Sequence, residues 1–164
     1  MKSRIAEYTK RCEDALEAAL IEKTKLTQAE FDLVGMSSVK NRILLNELVK
    51  KGDRYLEIGV YRGSTFVAAL YKNKPAYAVA IDNFSEFTDL VSREHSNEVI
   101  KKMASDALLL AADDAKLSNE DMFKKALTER NITDYTLLNC NCFNVPPTLE
   151  QYLLNKNFNV YLYD

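Results

Sequence analysis

The chain is short of several things, and each shortage removes a class of function. No apolar stretch in its 164 residues approaches the roughly 20 needed to span a bilayer. Neither sign of charge is in excess: 22 basic residues face 24 acidic ones, for a formal net charge of −2. Such a balance exerts no long-range pull on nucleic acid or an anionic membrane, so neither is an expected partner. Cysteine is sparse and odd in number (Cys12, Cys140, Cys142), without the spacing of a disulfide framework. Reduced thiols in a cytoplasmic protein are the expected state. Cys140-Asn141-Cys142 also lacks the second Cys or His pair of a zinc site. Histidine occurs once, at His95 in a polar run, where a surface residue is expected rather than a general base. The first twenty residues carry acids throughout and no continuous apolar core, unlike a signal peptide.

What remains is an ordinary globular composition, 47% hydrophobic and 28% charged, sized for one domain with a real core. Residues 1–50 read as a helical extension packed on the sheet that follows. In the first helix Ile5, Tyr8, Cys12, Leu16 and Leu20, with Ala15 and Ala19 beside them, recur at three- and four-residue steps and predict a buried face. Thr27-Gln28-Ala29-Glu30 has the form of a capping box. Ser37 or Ser38 can cap a third helix, in which Val39, Ile43, Leu44 and Leu48 form the stripe.

After Gly52 the period changes. Short apolar runs at 55–58, 76–81, 133–138 and 159–163 predict four buried strands. Helical patterns lie between them: 64–71, a long reading from about 85 to 130 with a start at Ser118, and a short helix opened by Pro146-Pro147. Strands alternating with helices predict an α/β fold, a Rossmann-like parallel sheet with flanking helices, over residues 51–164.

In such a sheet ligands collect beyond the carboxyl ends of the strands. The segment Glu57-Ile58-Gly59-Val60-Tyr61-Arg62-Gly63-Ser64-Thr65 lies at one of those ends. Gly59 lets the chain leave the strand steeply, Gly63 permits tight contact as the helix begins, and Ser64 and Thr65 offer hydroxyls at the helix start. No lysine follows Gly63, so a triphosphate-binding P-loop is not expected. Tyr61 stands where a dinucleotide fold prefers a second glycine, and a large side chain there suits pyrophosphate poorly. An acid at the strand end and a glycine turn can instead serve a ligand carrying an ammonium group, a carboxylate and a ribose, as S-adenosylmethionine does. Asp82, ending the next strand, can accept from both ribose hydroxyls, which NAD and S-adenosylmethionine sites share.

These residues resemble the first motif of class I S-adenosylmethionine-dependent methyltransferases, nearest to the catechol and caffeoyl-CoA O-methyltransferase kind. Ala80-Ile81-Asp82 resembles the second motif, and Val160-Tyr161-Leu162-Tyr163-Asp164 the fourth strand, whose terminal aspartate binds a divalent metal in metal-dependent members. Gly35-Met36-Ser37-Ser38 is similar to a stretch of bacterial and phage relatives. The resemblance covers about residues 35–164. It implies that Glu57 and Gly59 face the amino-acid end of the cofactor and Asp82 the ribose, with Asn83 and Phe84 beside the adenine. Asn141 or Cys142 would lie near the adenine's other side, and Asp164 would be a ligand to a metal such as Mg²⁺. It implies a seven-stranded fold in the order 3-2-1-4-5-7-6, of which this chain supplies about four strands. The fifth strand, the terminal hairpin and much of the acceptor pocket would then fall beyond Asp164. Self-association covering the fourth strand's edge is expected. The implied activity is O-methyl transfer to a small-molecule or sugar-type acceptor, with the truncated chain itself inactive. An NAD- or nucleotide-sugar-binding oxidoreductase or epimerase, and a non-catalytic adenosine-binding module, stay open as alternatives.

Overall fold

The computed structural model describes residues 2–85 and 117–144, positions 147, 151, 153 and 155, and residues 157–163. The helical reading of 86–116 (with His95), most of the helix expected after Pro146, and Asp164 lie outside the described residues. Elements below are numbered among the described residues.

Four strands form one sheet: β1 (Arg54–Ile58), β2 (Tyr77–Asp82), β3 (Thr136–Asn139) and β4 (Val160–Tyr163). Every pairing is parallel and the order is β3-β2-β1-β4. β1 is central, with Leu56 opposite Val79 on one side and Tyr161 on the other. In β2 the run Ala78–Ile81 is buried throughout, as an apolar strand without a polar face requires.

The helices are α1 (Lys2–Leu20), α2 (Gln28–Phe31), α3 (Val39–Leu48), α4 (Ser64–Leu70) and α5 (Asn119–Thr128). All seven residues of α4 are buried, because it is covered on two sides. Phe66, Val67, Ala69 and Leu70 join Tyr55, Val60, Ala80, Phe123 and Val160 in the main core. Ala68 meets Ala19, Leu26 and Ile43 in a second cluster. The N-terminal helices thus roof α4, while Leu45 and Val49 reach past it into the main core.

The capping signals act as read. The Glu30 carboxylate accepts from the Thr27 N–H (2.8 Å) and hydroxyl (2.7 Å). Ser118 accepts from the Asp121 N–H (3.1 Å), and its own N–H and hydroxyl donate to the Asp121 carboxylate. These bonds close within one helical turn, so sequence spacing suffices to specify them.

One expected face is corrected, and a second at a single residue. On α1 the apolar stripe is turned outward: Ile5, Leu16 and Leu20 are each more than half exposed, Tyr8 is 43% exposed, and Cys12 is exposed. The buried contacts are Ala15 and Ala19, whose small side chains let the helix backbone approach α3 closely. On α3, Val39 is exposed, whereas Arg42 and Asn46 are buried. Asn46 donates to the carbonyls of Ala68 (2.6 Å) and Tyr71 (2.9 Å) at the end of α4. Arg42 donates to the carbonyls of Glu30 (2.9 Å) and Phe31 (3.0 Å) at the end of α2. Helix ends leave carbonyls without intrahelical partners, and these two polar side chains meet them where water cannot.

At the amino-terminal edge of the sheet Asp53 collects several donors. Arg11 pairs with it, the Lys50 N–H donates at 2.7 Å, and the Asn159 amide donates at 2.7 Å. Burial alone would raise the Asp53 pKa. The hydrogen bonds from Arg11, Lys50 and Asn159 outweigh it and hold the carboxyl below its ordinary value. One carboxylate thereby ties α1, the end of α3, β1 and the approach to β4 together. Among the described residues no helix is long and apolar enough to cross a membrane.

Candidate functional site

The order β3-β2-β1-β4 means that the chain leaves β1 toward β2 on one side and returns to β4 on the other. The carboxyl ends of β1 and β4 therefore flank a switch point, where open α/β sheets hold ligands. A cavity of about 350 Å³ lies there, lined by Ile58, Gly59, Ile81, Asp82, Asn83, Cys140, Asn141, Cys142, Phe143 and Tyr163. Its volume falls in the roughly 300–1,000 Å³ range of small-molecule sites. Five of the expected residues meet in it: Gly59, Asp82, Asn83, Asn141 and Cys142. The 140–143 segment is drawn in by the Cys140 N–H, which donates to the Asp82 carbonyl at 3.0 Å.

The geometry centres on Asp82. One carboxylate oxygen accepts the Tyr61 N–H and the other the Phe84 N–H, both at 2.6 Å. Tyr61 (φ 47°) and Phe84 (φ 50°) are each held in the left-handed region, where bulky residues are genuine outliers. Asp82 thus clamps two strained turns, one after β1 and one after β2. A carboxylate has about four lone-pair sites, so these bonds leave about half its accepting capacity. The oxygens of the Asn83 and Asn141 side chains accept from the N–H groups of Ser85 (3.2 Å) and Phe143 (2.9 Å), which leaves the amide NH₂ groups as donors at the rim.

The other expected residues do not line the cavity. Glu57 is fully buried, and its carboxylate accepts from Tyr55 Oη and Thr65 Oγ1, each at 2.5 Å. It points into the core layer under α4 and fixes the start of that helix. Ser64 is buried, 3.2 Å from the Ser37 hydroxyl, beneath Gly35. Gly63 (φ 87°) caps α4 and lies under Phe123: an added Cβ would stand 2.9 Å from that ring. Phe84 stacks 5.8 Å from Phe123, on the core side of its loop. The Tyr61 ring lies under the Arg62 guanidinium, 5.2 Å from ring centroid to charge.

Three of the loop N–H groups are spent internally. Gly59 donates to the Ile81 carbonyl (2.8 Å), Tyr61 to Asp82, and Gly63 to the Val60 carbonyl (2.7 Å). A phosphate-cradling loop needs such groups directed at the ligand.

Phe143 (81% exposed) and Tyr163 (60% exposed) were not anticipated as lining residues. Tyr163 pairs with Ile58 across the β1–β4 ladder, so its place follows from strand order rather than from any local motif. Among the described residues no group of three or more His, Cys, Asp or Glu side chains is placed to hold a metal.

Fold and site together define an α/β protein with a Rossmann-like parallel sheet and a small-molecule-sized cavity at its switch point. The chain matches no protein-family model, no curated protein and no solved structure.

Proposed function

We propose that the cavity binds S-adenosylmethionine and that the chain carries the donor half of a class I methyltransferase site. The observation that carries this reading is the use of the Tyr61 N–H by Asp82. In a dinucleotide fold the pyrophosphate lies against the backbone at this turn. Here the N–H groups of Gly59, Tyr61 and Gly63 are bonded within the protein, and a carboxylate sits behind the loop. Phosphate would meet the negative charge of Asp82, and these three N–H groups could not offset it. A ribose carrying a sulfonium or amine brings hydroxyl donors and positive charge, which suit the remaining lone pairs of Asp82.

Bound there, S-adenosylmethionine would supply an electrophilic methyl group for displacement by an acceptor oxygen. The residues of this chain would hold and orient it. Asp82 would accept from the ribose hydroxyls, and the amides of Asn83 and Asn141 would meet the adenine edge beside Cys142. Gly59 would leave room for the cofactor against the strand end. Glu57 would act at one remove, keeping Thr65 and the α4 start in place. Strand order does not separate the two cofactor classes, since 3-2-1-4 begins both arrangements. The loop donors do. A divalent metal at Asp164 and a small-molecule acceptor remain part of the same reading.

Isothermal titration of the chain with S-adenosylhomocysteine and, separately, with NAD tests it. Binding of the first and not the second is expected, and Tyr61→Gly should gain no NAD binding because the residue-61 N–H stays committed to Asp82. Binding of NAD alone would overturn the proposal.

A further inference from the structure

We infer that the outward face of α1 is a self-association surface, on which a second copy docks its own α1 antiparallel across a two-fold axis at Cys12. Ile5, Tyr8, Cys12, Leu16 and Leu20 share one side of the helix, and all but Leu20 line a shallow groove that no described residue fills. Their spacing spreads them over about a third of the helix circumference, the width of a face that a partner helix covers. The adjoining side is already taken by α3, through Ala15, Ala19 and the Arg11–Asp53 pair.

The charge pattern of α1 identifies the occupant. Residues 4–11 carry three basic side chains and one acid, net +2, while 12–20 carry three acids and no base, net −3. This runs against the helix's own dipole: the first turn holds no acid and the last turn no base. The isolated helix is therefore penalised at both ends, and the arrangement is relieved by a neighbour of reversed polarity. A second α1 laid antiparallel is such a neighbour, bringing each basic half against an acidic half, whereas a parallel copy would set like against like. With Cys12 on the axis, Tyr8 meets the partner's Leu16, and Ile5 meets the partner's Leu20. The same patch serves both copies, as a two-fold interface demands. This contact is distinct from any pairing along the outer edge of β4, the last strand of the sheet among the described residues.

Sedimentation of the full chain over a concentration series is the test. A monomer–dimer equilibrium is expected, weakened about tenfold or more by Ile5→Glu with Leu16→Glu. Both side chains are exposed, so a circular dichroism spectrum unchanged from the parent serves as the folding control. A short bis-maleimide should join the parent chain into dimers through Cys12, and Cys12→Ser should prevent it. Arg4→Glu, which takes residues 4–11 from net +2 to net zero, should weaken the dimer. A parent chain that stays monomeric overturns the inference. So does a dimer indifferent to Ile5 and Leu16, which would place the contact elsewhere. A dimer strengthened by Arg4→Glu alone would refute the antiparallel arrangement.

Discussion

Replacing Asp82 by Asn removes one acceptor from the place where two backbone N–H groups converge. The Tyr61 and Phe84 amides each donate at 2.6 Å to a different carboxylate oxygen. Asparagine keeps one oxygen and turns an NH₂ toward the other donor, so one amide loses its partner and faces a like group. An unmet donor costs about 1–3 kcal/mol, and partial solvent access at this half-buried residue favours the lower part of that range. The released turn also relaxes from its left-handed strain, which returns part of the loss locally while shifting the loop. A net destabilisation of about 1–2 kcal/mol is expected in urea unfolding. Ligand binding should suffer separately. A charged acceptor to ribose hydroxyls contributes roughly 1.5–3 kcal/mol, so S-adenosylhomocysteine affinity should fall about 10- to 100-fold by titration calorimetry. Asp82→Ala, which abandons both amides, should lose more stability than Asp82→Asn. Wild-type affinity together with wild-type stability in Asp82→Asn would refute both the clamp and the ribose role.

Two further outcomes follow from packing and charge. Gly63→Ala adds a Cβ at φ 87° and 2.9 Å from Phe123, a fully buried ring wedged among Phe66, Phe84 and Tyr135; about 2–4 kcal/mol should be lost, read as a lower urea midpoint. Asp53 and Glu30 are both held below their ordinary values of 3.8 and 4.5: burial works against this, and hydrogen bonds with Arg11, Lys50 and Asn159 for one, and with Thr27 and Arg130 for the other, prevail. Depressed carboxyls contribute stability that is full above those ordinary values and lost as pH falls through the lower folded ones. Asp53→Asn should therefore be less stable than the parent near neutrality, with the gap closing in acid. A constant gap across that range would show that Asp53 does not supply this stability as an anion.

The legible parts of the chain were those whose causes are local. Strand and helix alternation, the capping boxes at Thr27 and Ser118, and the sharp turn between Gly59 and Gly63 rest on contacts within a few residues. The placement of Asp82 at a strand end was legible for the same reason. Less legible were the residues whose partners come from far along the chain. Arg42 and Asn46 lie outside the apolar stripe expected of α3, yet each is buried against helix-end carbonyls. Glu57 read as a ligand contact, and its carboxylate is turned toward Tyr55 and Thr65 instead.

Periodicity and turn chemistry act over short separations, and they were enough to specify a parallel α/β sheet, the glycine turn and the acid beside it. The packing of the folded chain set which part of α1 is buried, since Ala15 and Ala19 allow a close contact with α3 that the larger apolar residues beside them do not. It alone decided that one carboxylate would fasten Tyr61 and Phe84, and that Phe143 and Tyr163 would border the cavity. Those outcomes depend on strand order and loop convergence, which bring together groups that no short-range pattern links.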